Sequence, residues 1–349
     1  MNELIISSDI SIRDAMKKMS EIGEKCLVIT GQDNILIGTL SDGDIRKAIL
    51  KGANFRESIE PFYQKSPTVL LEDKFEASDV KNIFHDKEFD IIPVINSKGN
   101  LIDIIKWNSF FNTPSKMNEL KINVPVVIMA GGKGTRLEPF TKVLPKPLIP
   151  IHEKPIIEHI IELFNQIGCD KFYLTVNYKA RILKAYFEEL QPDYKTHFIS
   201  EKSPLGTASS LGLLNRRFTE PFFVTNCDII IKADYCKIYQ FHKRNGYDIT
   251  LVASAKEYII PYGTCELNDD GELSHIIEKP HYDFLINSGL YILNPEVIEL
   301  IPENQVFHIT HLIDKVKNNG GKVGVYPIDE QQWIDVGQWT EYRTALENL

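Results

Sequence analysis

A glycine-rich run followed by basic residues carries the clearest chemical signal in the chain. Residues 131–137 read Gly-Gly-Lys-Gly-Thr-Arg-Leu, and residues 144–148 read Leu-Pro-Lys-Pro-Leu. Glycines at a strand end let the backbone turn sharply and point N–H groups at phosphate oxygens. Arg136 offers paired donors to a phosphate, Lys146 offers a point charge, and flanking prolines stiffen the backbone of Lys146. The run therefore predicts a site for a phosphorylated ligand.

Two familiar phosphate-binding motifs do not account for this run. A Walker A loop needs Ser or Thr directly after its Gly-Lys pair, and Gly134 stands there. The dinucleotide-binding fingerprint needs a third glycine at the position of Leu137. The phosphate site must therefore be of another kind.

A carboxylate follows another apolar segment of the same half of the chain. Residues 222–228 read Phe-Phe-Val-Thr-Asn-Cys-Asp. An Asp at the carboxyl end of a buried strand reaches into the crevice where open α/β sheets bind ligands, and its hard oxygens suit Mg²⁺. Asp228 is therefore a candidate metal ligand, with capping of a following helix as its alternative role.

The G-G-x-G-T-R-L run and the P-K-P run together resemble the signature of the sugar-nucleotide pyrophosphorylases. The resemblance continues to the C-terminus, and it implies transfer of a nucleotide to a sugar 1-phosphate with release of pyrophosphate. It also implies that Arg136 and Lys146 hold the triphosphate and the departing pyrophosphate. Lys279 would hold the sugar phosphate, and Mg²⁺ would lie between Asp228 and Asp335. These five side chains should converge on one crevice.

The resemblance assigns further residues to the two substrates. Those implied for the nucleotide are Met129, Gly131, Gly132, Glu201, Gly206 and Thr207, and those implied for the sugar are Gly263, Glu278 and Asn287. The E-x-x-P-L-G-T-A run at 201–208 is more similar to guanylyltransferases acting on mannose-type sugars than to thymidylyl enzymes. GTP is therefore favoured, UTP and CTP stay open, and the sugar is a mannose, glucosamine or heptose derivative.

The implied reaction needs no general base. A phosphate monoester is already ionised near neutral pH, since its second pKa is about 6, and no histidine stands in these blocks. Two polyanions must meet, so catalysis reduces to positioning and charge neutralisation.

A weak internal repeat fills the first 113 residues. Residues 28–46 read as strand, turn, strand and helix start, and residues 92–105 repeat the strand pair. Helices are predicted before each pair, over 11–22 and 77–84, from apolar residues at helical spacing. The repeat resembles a tandem pair of CBS domains, carried mainly by the G-T-L-S-D-G-D-I-R run at 38–46.

CBS pairs often bind an adenine nucleotide, and the resemblance assigns Ser41 and Asp44 to that ligand. The second copy has Lys106 and Ser109 at the matching positions, so at most one standard site is expected. A purely structural or dimerising role for the pair is equally open.

Strands and helices alternate beyond residue 123. Apolar strands are predicted over 124–130, 172–176 and 222–225, and amphipathic helices over 155–167 and 181–190. This order predicts an α/β fold, a Rossmann-like and mostly parallel sheet covered by helices on both faces. A smaller α+β CBS-pair domain precedes it. We expect domains at 1–113 and 124–349 joined by a polar linker at 114–123, and a hairpin turn at 268–271.

Bulk properties exclude several classes of protein. The net charge of −9 argues against a nucleic-acid partner, and no apolar run is long enough to cross a membrane. Five scattered cysteines without a C-x-x-C pair favour neither a disulfide framework nor a zinc site. No signal peptide is expected. We expect a cytoplasmic homo-oligomer.

Two rival functions follow from the same features. The first is a CBS nucleotide sensor fused to an inactive transferase-like domain, although the arginine, both lysines and both carboxylates are all present. The second is a glycosyltransferase, which typically carries a D-x-D motif at the strand end. Residues 228–230 read Asp-Ile-Ile, which disfavours that rival.

Overall fold

The structure, a computed structural model, describes residues 2–72, 74–87, 89–107, 110, 121–201, 206–214 and 218–348. The chain forms two compact units. Unit 1 comprises Met1–Glu119 and Ala255–Phe284, and unit 2 comprises Leu120–Ser254 and Leu285–Leu349. Most of the predicted linker, and Ser109 of the second repeat, lie outside the described residues.

Unit 1 contains two three-stranded sheets with the same topology. The first consists of β1 (Ile5–Ile6), β2 (Cys26–Thr30) and β3 (Leu36–Ser41), and the second of β4 (Leu70–Leu71), β5 (Ile91–Ile95) and β6 (Leu101–Lys106). In each sheet the first pair is parallel and the second antiparallel, with an irregularity near the end of the middle strand. The predicted internal repeat is therefore present in the structure.

Within the described part of unit 1, these strands are accompanied by α1 (Ile12–Ile22), α2 (Asp42–Leu50) and α3 (Ala77–Lys87). Helix α1 begins after Ser11, whose side chain accepts a hydrogen bond from the Asp14 N–H at 3.1 Å, and ends at Gly23, whose φ is 67°. Its buried Ile12, Ala15 and Met19 pack with β2 in the core of this unit. Their spacing of three and four residues explains why one face of α1 is buried.

The later segment of unit 1 contains a two-stranded ribbon. Strand β15 (Thr264–Leu267) pairs antiparallel with β16 (Leu273–Ile277). The turn between them is closed by a hydrogen bond from the Gly271 N–H to the Asn268 carbonyl at 2.9 Å, and Gly271 has a φ of 86°. The hairpin turn predicted at 268–271 is thus confirmed.

A seven-stranded sheet forms the centre of unit 2, in the order β11-β10-β7-β12-β17-β14-β18. Its strands are β7 (Val126–Met129), β10 (Lys171–Val176), β11 (Lys195–Ser200), β12 (Phe222–Asn226), β14 (Ile249–Ile259), β17 (His281–Leu293) and β18 (Val323–Asp329). The end of β14 from residue 255 and the start of β17 up to residue 284 belong to unit 1. Strands β11, β10, β7 and β12 pair in parallel, and β12 pairs antiparallel with β17. The predicted mostly parallel sheet is confirmed.

Helices cover both faces of this sheet. They are α4 (Phe140–Val143), α5 (Ile156–Gln166), α6 (Ala180–Leu190), α7 (Tyr235–Asn245), α8 (Ile309–Asn318) and α9 (Trp339–Asn348). Along β7, Val126 and Ile128 enter the core formed with α5, α6, α7 and α9, whereas Val127 and Met129 enter the core formed with α8. Side chains alternate along a strand, so each face of β7 serves one core.

Short elements complete unit 2. They are the strands β8 (Pro150–Ile151), β9 (Lys154–Pro155), β13 (Ile229–Ile231) and β19 (Trp333–Asp335), and 3-10 turns at 135–137, 146–148, 209–214, 295–300 and 330–332. Within the described ranges, no helix has both the length and the apolar character needed to cross a membrane. All five cysteines are free thiols.

Candidate active site

The glycine-rich loop begins directly after β7 and is held by its neighbours. Gly134 adopts a left-handed conformation with φ 66° and ψ 33°. A Cβ atom at this position would lie 2.9 Å from the Thr141 methyl group and 3.1 Å from the Cβ of Lys146. The Thr141 hydroxyl donates a hydrogen bond to the Gly134 carbonyl at 3.0 Å. The glycine therefore permits a tight turn that brings the loop against Lys146.

Lys146 occupies a rigid backbone position. It begins a 3-10 turn over 146–148, and the Leu148 N–H donates to the Pro145 carbonyl at 2.9 Å. The residue is only 8% exposed, and its ammonium forms an ion pair with Asp228. A buried lysine whose charge is met by a carboxylate is fixed in position, as the two flanking prolines predicted.

Asp228 and Asp335 are brought together by two short strands. Strands β13 and β19 pair antiparallel with Ile229 opposite Asp335, and the Val336 N–H donates to the Asp228 carbonyl at 2.8 Å. The residue after Asp228 starts β13, and the N-cap of α7 is Asp234. The alternative role of Asp228 as a helix cap is therefore wrong.

Gly337 marks the point where the charged groups meet. A Cβ atom on Gly337 would lie 2.8 Å from Asp335 Oδ1, 3.1 Å from Asp228 Oδ2 and 3.3 Å from Arg136 Nη2. The Gly337 N–H donates to Asp335 Oδ1 at 2.6 Å. With Lys146 bound to Asp228, four of the five predicted side chains are assembled in unit 2. Gly337 was not predicted as a site residue.

The two carboxylates influence each other electrostatically. Burial raises the pKa of Asp335, and the nearby Asp228 raises that pKa further. The Gly337 N–H and the Lys146 charge act in the opposite direction. Two acids held close together are unfavourable unless a cation or hydrogen-bond donors compensate them.

This pair of acids fits the expected Mg²⁺. The ion commonly takes one or two protein carboxylates and completes its shell with water and substrate phosphates. Among the described residues, no group of three or more His, Cys, Asp or Glu has an arrangement that could hold a metal. Asp228 and Asp335 would therefore bind Mg²⁺ together with a phosphorylated substrate rather than in a closed protein site.

Glu201 packs against the start of the glycine-rich loop. A Cβ atom on Gly131 would lie 2.8 Å from Glu201 Oε1, and the Glu201 N–H donates to the Val176 carbonyl at 2.9 Å. Burial raises the pKa of the Glu201 carboxyl. At Gly132 an added Cβ would meet nothing within 4 Å, so the loop is open there. Met129 is buried in the same core cluster as Ala208.

Gly206 and Thr207 are anchored by a segment that the sequence analysis missed. Gly206 has a φ of 100°, and a Cβ there would lie 2.7 Å from the Phe307 carbonyl oxygen. That oxygen accepts a hydrogen bond from the Ala208 N–H at 3.0 Å, and the Thr207 hydroxyl accepts one from the Ile309 N–H at 3.0 Å. Nothing in the residue types at 305–309 signals this contact. Residues 202–205 of the same loop lie outside the described residues.

Asn287 lies in unit 2 beside the end of β12. Its side-chain oxygen accepts hydrogen bonds from the Gly289 N–H and the Tyr291 hydroxyl, both at 3.0 Å. Gly289 has a φ of 87°, and a Cβ there would lie 2.5 Å from the Asn226 amide nitrogen. Residues 287–289 therefore lie within β17 and do not form a separate bend, and the positive φ of Gly289 lets this strand approach the Asn226 side chain closely.

The other predicted sugar residues lie in unit 1. A Cβ atom on Gly263 would lie 3.0 Å from Glu278 Oε2, so these two residues are neighbours. Lys279 has a positive φ of 45°, which is uncommon for a residue with a side chain. The Pro280 carbonyl accepts a hydrogen bond from the Ile260 N–H at 3.0 Å and closes this segment.

Ser41 and Asp44 form a capping box at the start of α2. The Asp44 carboxylate accepts hydrogen bonds from the Ser41 N–H at 3.0 Å and the Ser41 hydroxyl at 2.6 Å, and the Asp44 N–H donates back to the hydroxyl at 3.1 Å. The two side chains are adjacent, as a shared ligand would need. In the second repeat, Lys106 pairs with Glu24 at 2.7 Å.

The structure describes an α/β protein with acids and cations assembled beside a glycine-rich loop, and comparison with known families identifies its class. The family model for nucleotidyl transferases matches residues 125–349, and the model for CBS domains matches residues 1–51. The chain therefore belongs to the nucleotidyl transferase family and carries an N-terminal CBS domain.

Among curated proteins, the chain is similar to mannose-1-phosphate guanyltransferases. It is 35% identical over 223 residues to mannose-1-phosphate guanyltransferase 2 of Candida glabrata, a match that covers 61% of each chain. It is 34% identical over 229 residues to the mannose-1-phosphate guanyltransferase of Saccharomyces cerevisiae, again over 61% of each chain. The chain thus spans about 61% of the length of these relatives.

Among solved structures, the chain is similar to HddC from Yersinia pseudotuberculosis. The TM-score is 0.51 at 28% identity, and the match covers 64% of this chain and 98% of that chain. The shared part is the α/β fold described above.

Proposed function

We propose that this chain is a sugar-1-phosphate nucleotidyltransferase. It joins a nucleoside triphosphate to a sugar 1-phosphate and releases pyrophosphate. The observation that carries the proposal is the convergence of Arg136, Asp228 and Asp335 within 3.3 Å of one point above Gly337, with Lys146 bound to Asp228. Cations and carboxylates fixed beside a glycine-rich loop can bind two phosphorylated molecules next to each other and compensate their negative charge.

The chemical step is an in-line displacement at the α-phosphorus. An oxygen of the sugar phosphate forms a bond to this phosphorus as the bond to the pyrophosphate oxygen breaks, and the electron pair leaves with pyrophosphate. Arg136 and Lys146 bind the triphosphate and neutralise the charge that builds on the leaving group. Lys279 binds the sugar phosphate. No proton transfer is needed because the attacking oxygen is already ionised.

Mg²⁺ is proposed as the cofactor, held by Asp228 and Asp335. When bound, the ion neutralises phosphate charge between the two substrates. Support comes from the two carboxylates, since Asp335 Oδ1 and Asp228 Oδ2 lie 2.8 Å and 3.1 Å from the position of a Cβ atom on Gly337. A bound divalent cation would relieve the repulsion between them.

The nucleotide is proposed to be GTP and the sugar a mannose-type hexose. The relatives named mannose-1-phosphate guanyltransferases are 30–35% identical over 61–63% of this chain, which supports this choice. The segment proposed to contact the base is Glu201 with Gly206 and Thr207, backed by the Phe307 carbonyl. UTP or CTP is the alternative nucleotide.

A substrate matrix tests the proposal. GTP, UTP, CTP, ATP and dTTP are each mixed with mannose, glucose, glucosamine and heptose 1-phosphates and Mg²⁺, and pyrophosphate release is followed. We expect release to be fastest with GTP and to require a sugar 1-phosphate. Release from no combination by a folded protein would instead favour the nucleotide sensor with an inactive transferase-like domain.

Three further proposals concern the setting of the enzyme. We propose that it acts in the cytoplasm. We also propose that it forms a homo-oligomer, and light scattering coupled to gel filtration measures the number of chains in the particle. We also propose that the CBS region binds an adenine nucleotide through Ser41 and Asp44. The adjacency of these two side chains at the N-terminus of α2 supports that site.

A further inference from the structure

Two arginines of the N-terminal region form ion pairs with acids far along the chain. Arg13 donates to Asp283, and Arg56 donates both to Asp283 at 3.3 Å and to Glu257 at 2.6 Å. All four residues belong to unit 1. Two cations and two anions thus form one connected network between the CBS-like repeat and the segment at 255–284.

The central part of this network is shielded from water. The side chain of Asp283 is 8% exposed and that of Arg13 is 20% exposed. The Nε atom of Arg13 is buried and has no hydrogen-bond partner among the described residues. Exposed ion pairs contribute little, but a partly buried charge that loses its partner is strongly unfavourable. This network therefore fixes the position of the groups that it joins.

Contacts within the N-terminal region fix the positions of both arginines independently of the acids. The Arg13 N–H donates to the Phe55 carbonyl at 2.9 Å, and its guanidinium lies 5.4 Å from the centre of the Phe55 ring. The Arg56 N–H donates to the Asn54 side-chain oxygen at 2.9 Å. Both cations are therefore presented from a rigid part of the repeat.

The acids lie at the base of the segment that carries the proposed sugar ligands. Glu257 is on β14, Asp283 is on β17, and His281 Nδ1 lies 2.8 Å from Glu257 Oε1. The chain between Glu257 and Asp283 contains the ribbon of β15 and β16, and in the described residues these two strands pair only with each other. A two-stranded ribbon is marginally stable by itself, so contacts with other parts of unit 1 must stabilise the two strands that lead into and out of it.

We propose that Arg13 and Arg56 are positioning residues for the sugar-phosphate-binding segment that contains Glu278 and Lys279, an inference that rests on the proposed function. Lys279 lies four residues before Asp283 and has a φ of 45°, so its conformation depends on support from its surroundings. The N-terminal region then supports the segment of unit 1 that carries Glu278 and Lys279.

Steady-state kinetics of single variants of the full chain test the positioning role. Arg13→Met and Arg56→Met should each raise the KM for the sugar 1-phosphate about tenfold, on the scale of small misplacements of a binding group. The KM for the nucleoside triphosphate should stay unchanged. Lys279→Ala supplies the reference phenotype. Lys17→Met is the matched control, because Lys17 is an exposed cation on the same helix as Arg13 and pairs with Glu21.

A conservative substitution distinguishes loss of the positive charge from a general loss of protein stability. Arg56→Lys keeps a cation opposite Glu257 and should recover most of the affinity for the sugar 1-phosphate that Arg56→Met loses. Equal KM values for the sugar 1-phosphate in Arg13→Met, Arg56→Met and the wild type would overturn the proposal. An equal rise in both KM values would overturn it too, because it would indicate a general loss of structure.

Hydrogen exchange makes the test independent of catalysis. In Arg13→Met and Arg56→Met, amides at 273–283 should exchange faster than in the wild type, while amides at 126–129 should exchange as before. Unchanged exchange at 273–283 would overturn the anchoring role. If the wild type releases no pyrophosphate from any substrate pair, the proposed function fails, and the exchange result still decides whether the arginines anchor this segment.

Discussion

Two carboxylates and two cations surround one point in unit 2, namely those of Asp228, Asp335, Arg136 and Lys146. Like charges held close together cost folding free energy, and such arrangements cluster at functional sites. The position of Asp228 at the end of a predicted strand was enough to make it a candidate metal ligand. Asp335 could be assigned only through the family resemblance, because the pairing of β13 with β19 that aligns it is not visible in the sequence.

Loss of the Lys146 charge should reduce catalysis strongly. We expect Lys146→Ala to lower turnover at least about a hundredfold, the scale of removing one contact to charge that develops in the transition state. The variant also removes the ion pair that Lys146 forms with Asp228. Turnover is measured as pyrophosphate release at saturating substrates.

Lys142→Ala is the matched control for that experiment. Lys142 is a nearby lysine that is well exposed and pairs with Glu138 at 3.2 Å. Its loss should leave turnover close to that of the wild type. A Lys146→Ala enzyme that retained normal turnover with an intact fold would exclude the proposed role of Lys146.

Divalent cations should stabilise the protein through Asp228 and Asp335. Ligands that bind only the folded state raise its free energy of unfolding, by about 2.7 kcal/mol at a hundredfold excess over Kd. We expect Mg²⁺ with GTP to raise the melting temperature of the wild type more than GTP with a chelator. In Asp335→Asn that difference should shrink, and an undiminished difference would argue against this metal site.

At the scale of elements, local pattern predicted most of unit 2. The helix expected over 155–167 is observed at Ile156–Gln166, and the strand expected over 172–176 at Lys171–Val176. Periodicity and glycine stops are local signals and therefore suffice for such elements. Contacts between distant segments are not local. The support of Gly206 by Phe307, and the grouping of 255–284 with the N-terminal region, could not be predicted for that reason.

Helix α7 contains a histidine whose burial makes the fold sensitive to acid. His242 is buried, with its ring nitrogens 2.9 Å from the Thr250 hydroxyl and 3.0 Å from the Asn294 side-chain oxygen. Burial lowers its pKa below the usual value, so the folded state keeps the neutral ring. The unfolded chain takes up a proton first as the pH falls below about 6.5.

The stability that neutral His242 contributes is therefore present above that pH and is lost as the pH falls toward the lower folded-state pKa. The loss from this one group is at most about 1.4 kcal/mol per pH unit. Urea midpoints at pH 7.5 and 5.5 should differ more for the wild type than for His242→Gln, which cannot titrate. Identical differences for the two proteins would contradict this account.

At the scale of the whole molecule, the chain combines a nucleotidyl transferase fold with a CBS domain. Ser41 and Asp44 are adjacent at the start of α2, whereas the second repeat has Lys106, which pairs with Glu24, and Ser109 at the two matching positions. The second repeat therefore lacks the carboxylate that would accept hydrogen bonds from a ribose diol. The two repeats should therefore differ in ligand binding.

Calorimetry with adenine nucleotides measures that difference. We expect AMP, ADP or ATP to bind with a stoichiometry of at most one per chain. Asp44→Asn should weaken this binding, because it removes the charge that accepts two hydrogen bonds at this helix start. Binding of two equivalents, or undiminished binding by Asp44→Asn, would contradict the assignment of the site to the first repeat.

The reverse reaction tests the central claim most directly, because only nucleotidyl transfer to a sugar phosphate forms a triphosphate from a sugar nucleotide and pyrophosphate. Labelled pyrophosphate is incubated with Mg²⁺ and GDP-mannose, with UDP-, CDP-, ADP- and dTDP-sugars in parallel. We predict that label enters GTP, and that Asp228→Ala and Lys146→Ala abolish its entry. Absence of label from every nucleoside triphosphate, with the wild-type protein folded, would contradict the claim that the cluster around Gly337 catalyses this transfer.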